Sequence, residues 1–181
     1  MNALIFLIET FARLYLLCFL LRLLLQVARA DFYHPIPQFI VQVTNPLVVP
    51  ARRVIPSVRR FDLPTLVVLA VLQMAVLVVI LTLAGTTPGP GILFALTVHR
   101  LLSMTLWVYI VCIFVWVILS WVQASYAPMG RFLGQLIEPV LRPARRLLPP
   151  VGGFDISPLI VTIMLFAAII ALDDLFLSLI R

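Results

Sequence analysis

From Leu63 to Leu83 the chain runs through 21 residues without a single charged side chain. About 20 consecutive apolar residues, coiled as a helix, cross the ~30 Å hydrocarbon layer of a bilayer. Three further runs repeat the signal, at Ala3–Ala28, Ile92–Val122 and Pro158–Ile180. Composition agrees: 64% of the residues are hydrophobic and 11% charged, with a mean hydropathy of +1.19. Soluble domains average roughly 45–50% apolar and about 25% charged, so an aqueous globular fold is excluded. The sequence predicts an all-α membrane protein with four transmembrane helices.

The runs are separated by segments that no membrane helix tolerates. Gly85-Thr86-Thr87-Pro88-Gly89-Pro90-Gly91 is a turn, because glycine and proline interrupt helical backbone. The third run is longer than a bilayer requires and carries Arg100 near its start, which places its embedded part at about 101–122. The other spans are expected at about 3–28, 63–84 and 158–180. Ala28-Arg29-Ala30 has the small-x-small form of a leader cleavage site. Because the preceding apolar run is long, contains Glu9 and lacks a basic start, it reads as a retained span.

All 13 basic residues are arginine, against 7 acidic residues, for a net charge of +6. Arg29, Arg52, Arg53, Arg59 and Arg60 lie in the segment 29–62, and Arg131, Arg142, Arg145 and Arg146 in the segment 123–157; the turn 85–91 has no charge. Positive charge beside spans marks the cytoplasmic face. Both basic segments are therefore expected in the cytoplasm and both termini outside. The nearest polyanion to arginines between spans is lipid phosphate. No nucleic-acid signature is present, and nucleic acid is not expected as a partner.

A shift of 93 positions aligns the two basic segments without a gap. Between Tyr33 and Asp62, 13 of 30 positions are identical to Tyr126–Asp155, including Pro46 with Pro139, Pro50 with Pro143, Ala51-Arg52-Arg53 with Ala144-Arg145-Arg146, Pro56 with Pro149 and Phe61-Asp62 with Phe154-Asp155. The chain is a tandem duplication, with a first repeat at 1–88 and a second at 89–181. Since two spans separate the two basic segments, the repeats insert in the same orientation, and a pseudo-two-fold axis along the membrane normal is expected.

The pattern Asn45-Pro46-x3-Pro50-x-Arg52-Arg53-x2-Pro56-x4-Phe61-Asp62, repeated from Glu138 to Asp155 and followed by Ser157-Pro158, resembles the YggT/YlmG family of small integral membrane proteins. The resemblance implies a multi-pass protein of the bacterial inner membrane. It further implies links to osmotic or envelope stress, to cell division or nucleoid organisation, and, in plastid relatives, to cytochrome b6f haem assembly. It brings no catalytic residues.

Pro46, Pro50 and Pro56, matched in the second repeat by Pro139, Pro143 and Pro149, predict short helical pieces at the interface, such as 39–44 and 47–55, because each proline removes an amide donor and clashes with the preceding turn. Arg52, Arg53, Arg59, Arg60, Arg142, Arg145 and Arg146 then form two platforms facing anionic headgroups or a partner. Asp62 and Asp155, just before Pro64 and Pro158, stand where carboxylates cap the first turn of a span. Arg22 is expected to snorkel to the inner headgroups.

Glu9 and Arg13 have the i, i+4 spacing of a helical ion pair. With Arg100, Asp173 and Asp174 they are expected to form an inward-facing polar cluster toward the outer side, since a charge at bilayer depth costs roughly 2.5–3.5 kcal/mol. Gln73 reads as a helix-to-helix hydrogen-bonding group. Cys18 and Cys112 lie in apolar runs without paired spacing, and His34 and His99 fall on opposite sides of this topology, so neither pair makes a metal or haem site. No cofactor is expected.

No catalytic motif is found, and the segments between spans are too short for a soluble catalytic domain. The sequence therefore predicts a non-enzymatic protein that supports membrane or complex organisation under osmotic or envelope stress. Its expected partners are anionic lipids, another membrane protein or a second copy of the chain. An ion or small-solute pathway between the repeats and an assembly role for a membrane complex are the alternatives.

Overall fold

A computed structural model describes residues 3–28, 35–56, 62–122, 128–147 and 155–180, without the side chains of Leu147, Leu179 and Ile180. Its described residues form six helices and no strands: α1 (Ala3–Ala28), α2 (Pro35–Val54), α3 (Leu63–Leu83), α4 (Pro90–Trp121), α5 (Pro128–Leu147) and α6 (Ser157–Ile180). Of these, α1, α3, α4 and α6 have the length and apolarity to cross a membrane. Arg29, His34, Arg59 and Arg60 lie outside the described residues.

Local chemistry explains where the spans stop. At the end of α3, Gly85 takes φ 75°, a left-handed conformation that glycine adopts without a Cβ clash. The Gly85 amide donates to the Thr82 carbonyl at 3.0 Å and the Thr86 amide to the Leu81 carbonyl at 2.9 Å. These two bonds satisfy carbonyls that the helix end would leave open. Pro90 then starts α4, where a missing amide removes nothing the helix needs.

The helices make two compact units. One comprises α1 to Gln26, α2, α3 and α4 as far as Leu101; the other comprises the last two residues of α1, α4 from Leu102, α5 and α6. In the first, α2 packs on α3. Leu16, Phe19, Leu23 and Leu25 of α1, Ile40 and Val48 of α2, and Leu69, Leu77 and Ile80 of α3 are buried. In the second, α5 packs on α6, and Ile113, Ile137, Leu141, Ala144 and Val161 form a core with Trp116, Val117 and Leu165 against it.

The proline-bearing segments differ from the expectation of short pieces. Each is one 20-residue helix with two prolines inside, Pro46 and Pro50 in α2 and Pro139 and Pro143 in α5. The reason lies in the spacing. Prolines four apart fall on one helical face, and all four are exposed, while Ile40, Thr44 and Val48 make the buried stripe of α2 on the opposite side. The backbone groups that lose partners thus face outward, where water or headgroups can reach them, and the inward ladder is kept. Pro56 stands two residues beyond the end of α2.

Candidate functional site: two arginine–aspartate clasps

The same ion pair is built once in each unit. Arg52, in the last turn of α2, donates from Nη2 to Asp62 Oδ2 at 2.7 Å, just ahead of α3. Arg145, in the last turn of α5, donates from Nε to Asp155 Oδ2 at 2.9 Å, just ahead of α6. Each clasp spans ten residues of sequence and ties the end of an amphipathic helix to the mouth of the following span.

The Asp62 end of its clasp is buried, while Arg52 reaches it from the surface. The Thr65 hydroxyl donates to the same Oδ2 at 2.8 Å, and Arg22 Nε lies 3.8 Å away. Arg22 therefore departs from the expected snorkel: it is 5% exposed. Its Nη1 donates to Thr44 Oγ1 at 2.6 Å and to Asn45 Oδ1 at 3.0 Å. The Thr44 hydroxyl in turn donates to the Ile40 carbonyl at 2.7 Å. A guanidinium with polar partners this close gains more from them than from reaching for headgroups, since a buried charge must be paired and hydrogen-bonded.

Asp62 also departs from the capping role expected of it. It makes no side-chain cap hydrogen bond to α3, its Oδ2 being held by Arg52 and Thr65. Pro64 in the first turn has no amide to satisfy. Asp62 Oδ1 is buried with no hydrogen-bond partner among the described residues. Asp155, in contrast, accepts the Ser157 amide at Oδ1, 3.0 Å away, while holding Arg145 at Oδ2.

Burial alone would push both carboxyls up. Donation from Arg52 and Thr65 to Asp62, and from Ser157 and Arg145 to Asp155, outweighs it and holds both below the ordinary carboxylate range.

The second clasp is supported differently. Arg145 Nη1 donates to Glu138 Oε2 at 2.8 Å, Arg142 Nε lies 3.5 Å from Glu138 Oε1, and the Arg145 guanidinium stacks 5.6 Å from the centre of the Trp116 ring. Gly134 makes room for that ring: a Cβ there would sit 3.2 Å from Trp116 Nε1. At equivalent positions the first repeat has Asn45 for Glu138, Arg22 for Val115, Leu23 for Trp116 and Val41 for Gly134. The exchange is coordinated. Where an extra cation enters from α1 the helix offers a neutral amide, and where none does it offers a carboxylate. This pairing of differences was available to sequence reasoning, which lacked only the knowledge that the positions meet.

Arg53, Arg131 and Arg146 are exposed and form no ion pair among the described residues. Of the expected outer cluster, Glu9 Oε1 accepts from Arg13 Nη2 and from Arg100 Nη1, both at 2.7 Å. Arg13 does not face inward, however; 63% of its side chain is exposed. Arginine's length lets it hold Glu9 from the outside of α1 while Arg100 takes the same oxygen from α4. Asp173 and Asp174 are exposed near the end of α6, in the other unit. Gln73 is buried on α3. Among the described residues no group of three or more metal-ligating side chains occurs, and both cysteines are free thiols.

Four apolar spans and a twice-built clasp between a basic helix and the next span define a duplicated, all-helical multi-pass membrane protein. The chain belongs to the CCB3/YggT family, whose model matches residues 1–83 and again 95–176. It is 38% identical to the protein YggT of Escherichia coli strain K12 over 167 residues, covering 92% of this chain and 87% of the relative. The Pseudomonas aeruginosa protein PA0392 is 41% identical over 162 residues (87% and 82%). A Vibrio alginolyticus protein encoded in the proC 3' region is 39% identical over 181 residues (97% and 96%). No solved structure matches.

Proposed function

We propose that the protein is a non-enzymatic organiser of the bacterial inner membrane, acting through its two clasped basic helices on anionic lipid headgroups or on a partner that presents similar charge. The observation that carries this reading is the division of labour within each Arg-Arg pair. Arg52 and Arg145 are consumed in holding the helix to the span, which leaves Arg53 and Arg146 outward on a fixed frame. Arg131 and Arg142 extend the outward face of α5.

Simple topology signalling needs arginines but not a repeated clasp. At about 1 kcal/mol per arginine near an anionic surface, four such residues supply a few kcal/mol, enough to recruit lipid or dock a partner reversibly. In this reading the basic helices lie on the cytoplasmic face, both termini are periplasmic, and the protein supports membrane or complex organisation under osmotic or envelope stress.

The test is lipid enrichment around the purified protein in vesicles of phosphatidylglycerol and phosphatidylcholine. Wild type is expected to gather phosphatidylglycerol, and a variant with Arg53, Arg131, Arg142 and Arg146 all changed to Ala to lose that preference. Equal selectivity in the two would reduce the arginines to topology signals. Capture from native membranes in parallel reports whether a protein partner is lost with the same substitutions.

A further inference from the structure

In the second unit an apolar groove of about 590 Å³ opens between α4 and α6. Val111, Phe114 and Trp121 form one wall, Leu159, Thr162 and Phe166 the other, and Asp155 lies at one end. The repeat supplies a control. In the first unit the residues equivalent to Thr162, Phe166 and Asp155 are Leu69, Gln73 and Asp62, and they are 1%, 3% and 3% exposed. Phe166 is 42% exposed and the Asp155 side chain 34%. Duplicated helices that are covered in one copy are open in the other, so the groove is not a necessary product of this fold.

We infer that the groove seats one acyl chain of a single anionic phospholipid, with its phosphodiester at the Arg145 end. The walls run along two membrane-spanning helices for roughly 16 Å from Ile110 to Trp121, the direction in which a lipid chain lies. The head end is polar: Arg145, in the last turn of α5, holds Asp155 at the end of the groove and Glu138 beside it. Both Asp155 oxygens are already occupied, by Ser157 and Arg145. Arg145 uses Nε and Nη1 on its two carboxylates, and its Nη2 makes no hydrogen bond among the described residues. A phosphate oxygen is the natural acceptor for that remaining nitrogen.

The inference rests on the proposed basic platform only for the sign of the headgroup; the chain site is separate from it. The test is native mass spectrometry of the full protein extracted from membranes holding phosphatidylethanolamine and phosphatidylglycerol. Wild type is expected to retain one phosphatidylglycerol per chain. Val111→Phe and Thr162→Phe, which fill the groove from opposite walls, should each lower its occupancy at least tenfold while bulk enrichment of anionic lipid in vesicles persists. Phosphatidylglycerol with brominated chains should quench Trp121 in the wild-type protein, with Trp121→Phe as baseline, so that the result does not depend on the filled variants folding.

Loss of bulk enrichment with one retained lipid would overturn the platform and keep the groove. A wild-type chain without lipid, retention of the ethanolamine lipid alone, unchanged retention in both filled variants, or a groove covered by a second copy of the chain would each overturn the inference.

Discussion

Arg22 shows how a residue's role depends on partners that the local sequence does not reveal. On α1 it reads as a cation near a membrane surface. In the fold it meets Thr44 and Asn45, more than twenty positions away, and lies beside Asp62. Changing Arg22 to Ala would leave Asp62 with one cation in place of two and strip Thr44 and Asn45 of their donor. Breaking a buried pair by removing one member typically costs about 3–5 kcal/mol, and a clear fall in thermal midpoint in detergent is expected; a midpoint within a degree of wild type would mean that Arg22 contributes nothing there.

The aspartates carry a second expectation. A carboxyl held below its unfolded value of about 3.9 adds stability above that value and loses it as pH falls through the folded-state value. Both clasp aspartates are of this kind. Stability should be level from neutrality to about pH 5 and decline below about pH 4. Asp155→Asn should flatten the acid limb, which a melting series across pH in one detergent can read.

At the scale of elements, α5 is placed by an exchange of volume with α4. Gly134 lies under the Trp116 indole, and Trp116 in turn supports the Arg145 guanidinium. Gly134→Val would drive a branched side chain into the ring, and overpacking of this kind costs about 1–3 kcal/mol. The first repeat carries Val41 and Leu23 at the corresponding positions. Trp116→Leu should therefore restore much of the stability lost in Gly134→Val, leaving a positive coupling in the double-mutant cycle. Strictly additive losses would show that the two residues do not act on one another.

The spans, by contrast, were legible from the start, since apolar length alone decides them. The proline helices were not. A rule that counts each proline as a break ignores that prolines four apart share one face, and the outcome is decided by whether that face is buried or exposed. The clasps were half legible: Arg-Arg and Phe-Asp recur at fixed spacing, but spacing does not say that Asp62 turns from its helix end toward Arg52.

For the whole molecule, duplication and charge together make a sharp prediction about sidedness. Each repeat contributes two spans, and two of the four, α3 and α4, separate α2 from α5, so α2 and α5 must face the same compartment if both are crossed. The turn between α3 and α4 has no charged residue, whereas both basic helices end in Arg-Arg. Arginine in short segments beside spans is retained in the cytoplasm. In a background with Cys18 and Cys112 replaced by Ala, a thiol at Arg53→Cys and one at Arg146→Cys should react with an impermeant label only after the cytoplasmic face is opened. A thiol at Thr87→Cys should react in intact cells. Labelling of Arg53→Cys and Arg146→Cys from opposite faces would require α3 or α4 to stay out of the bilayer. The two clasps would then serve different surfaces, and a shared role for α2 and α5 on one leaflet would be lost with them.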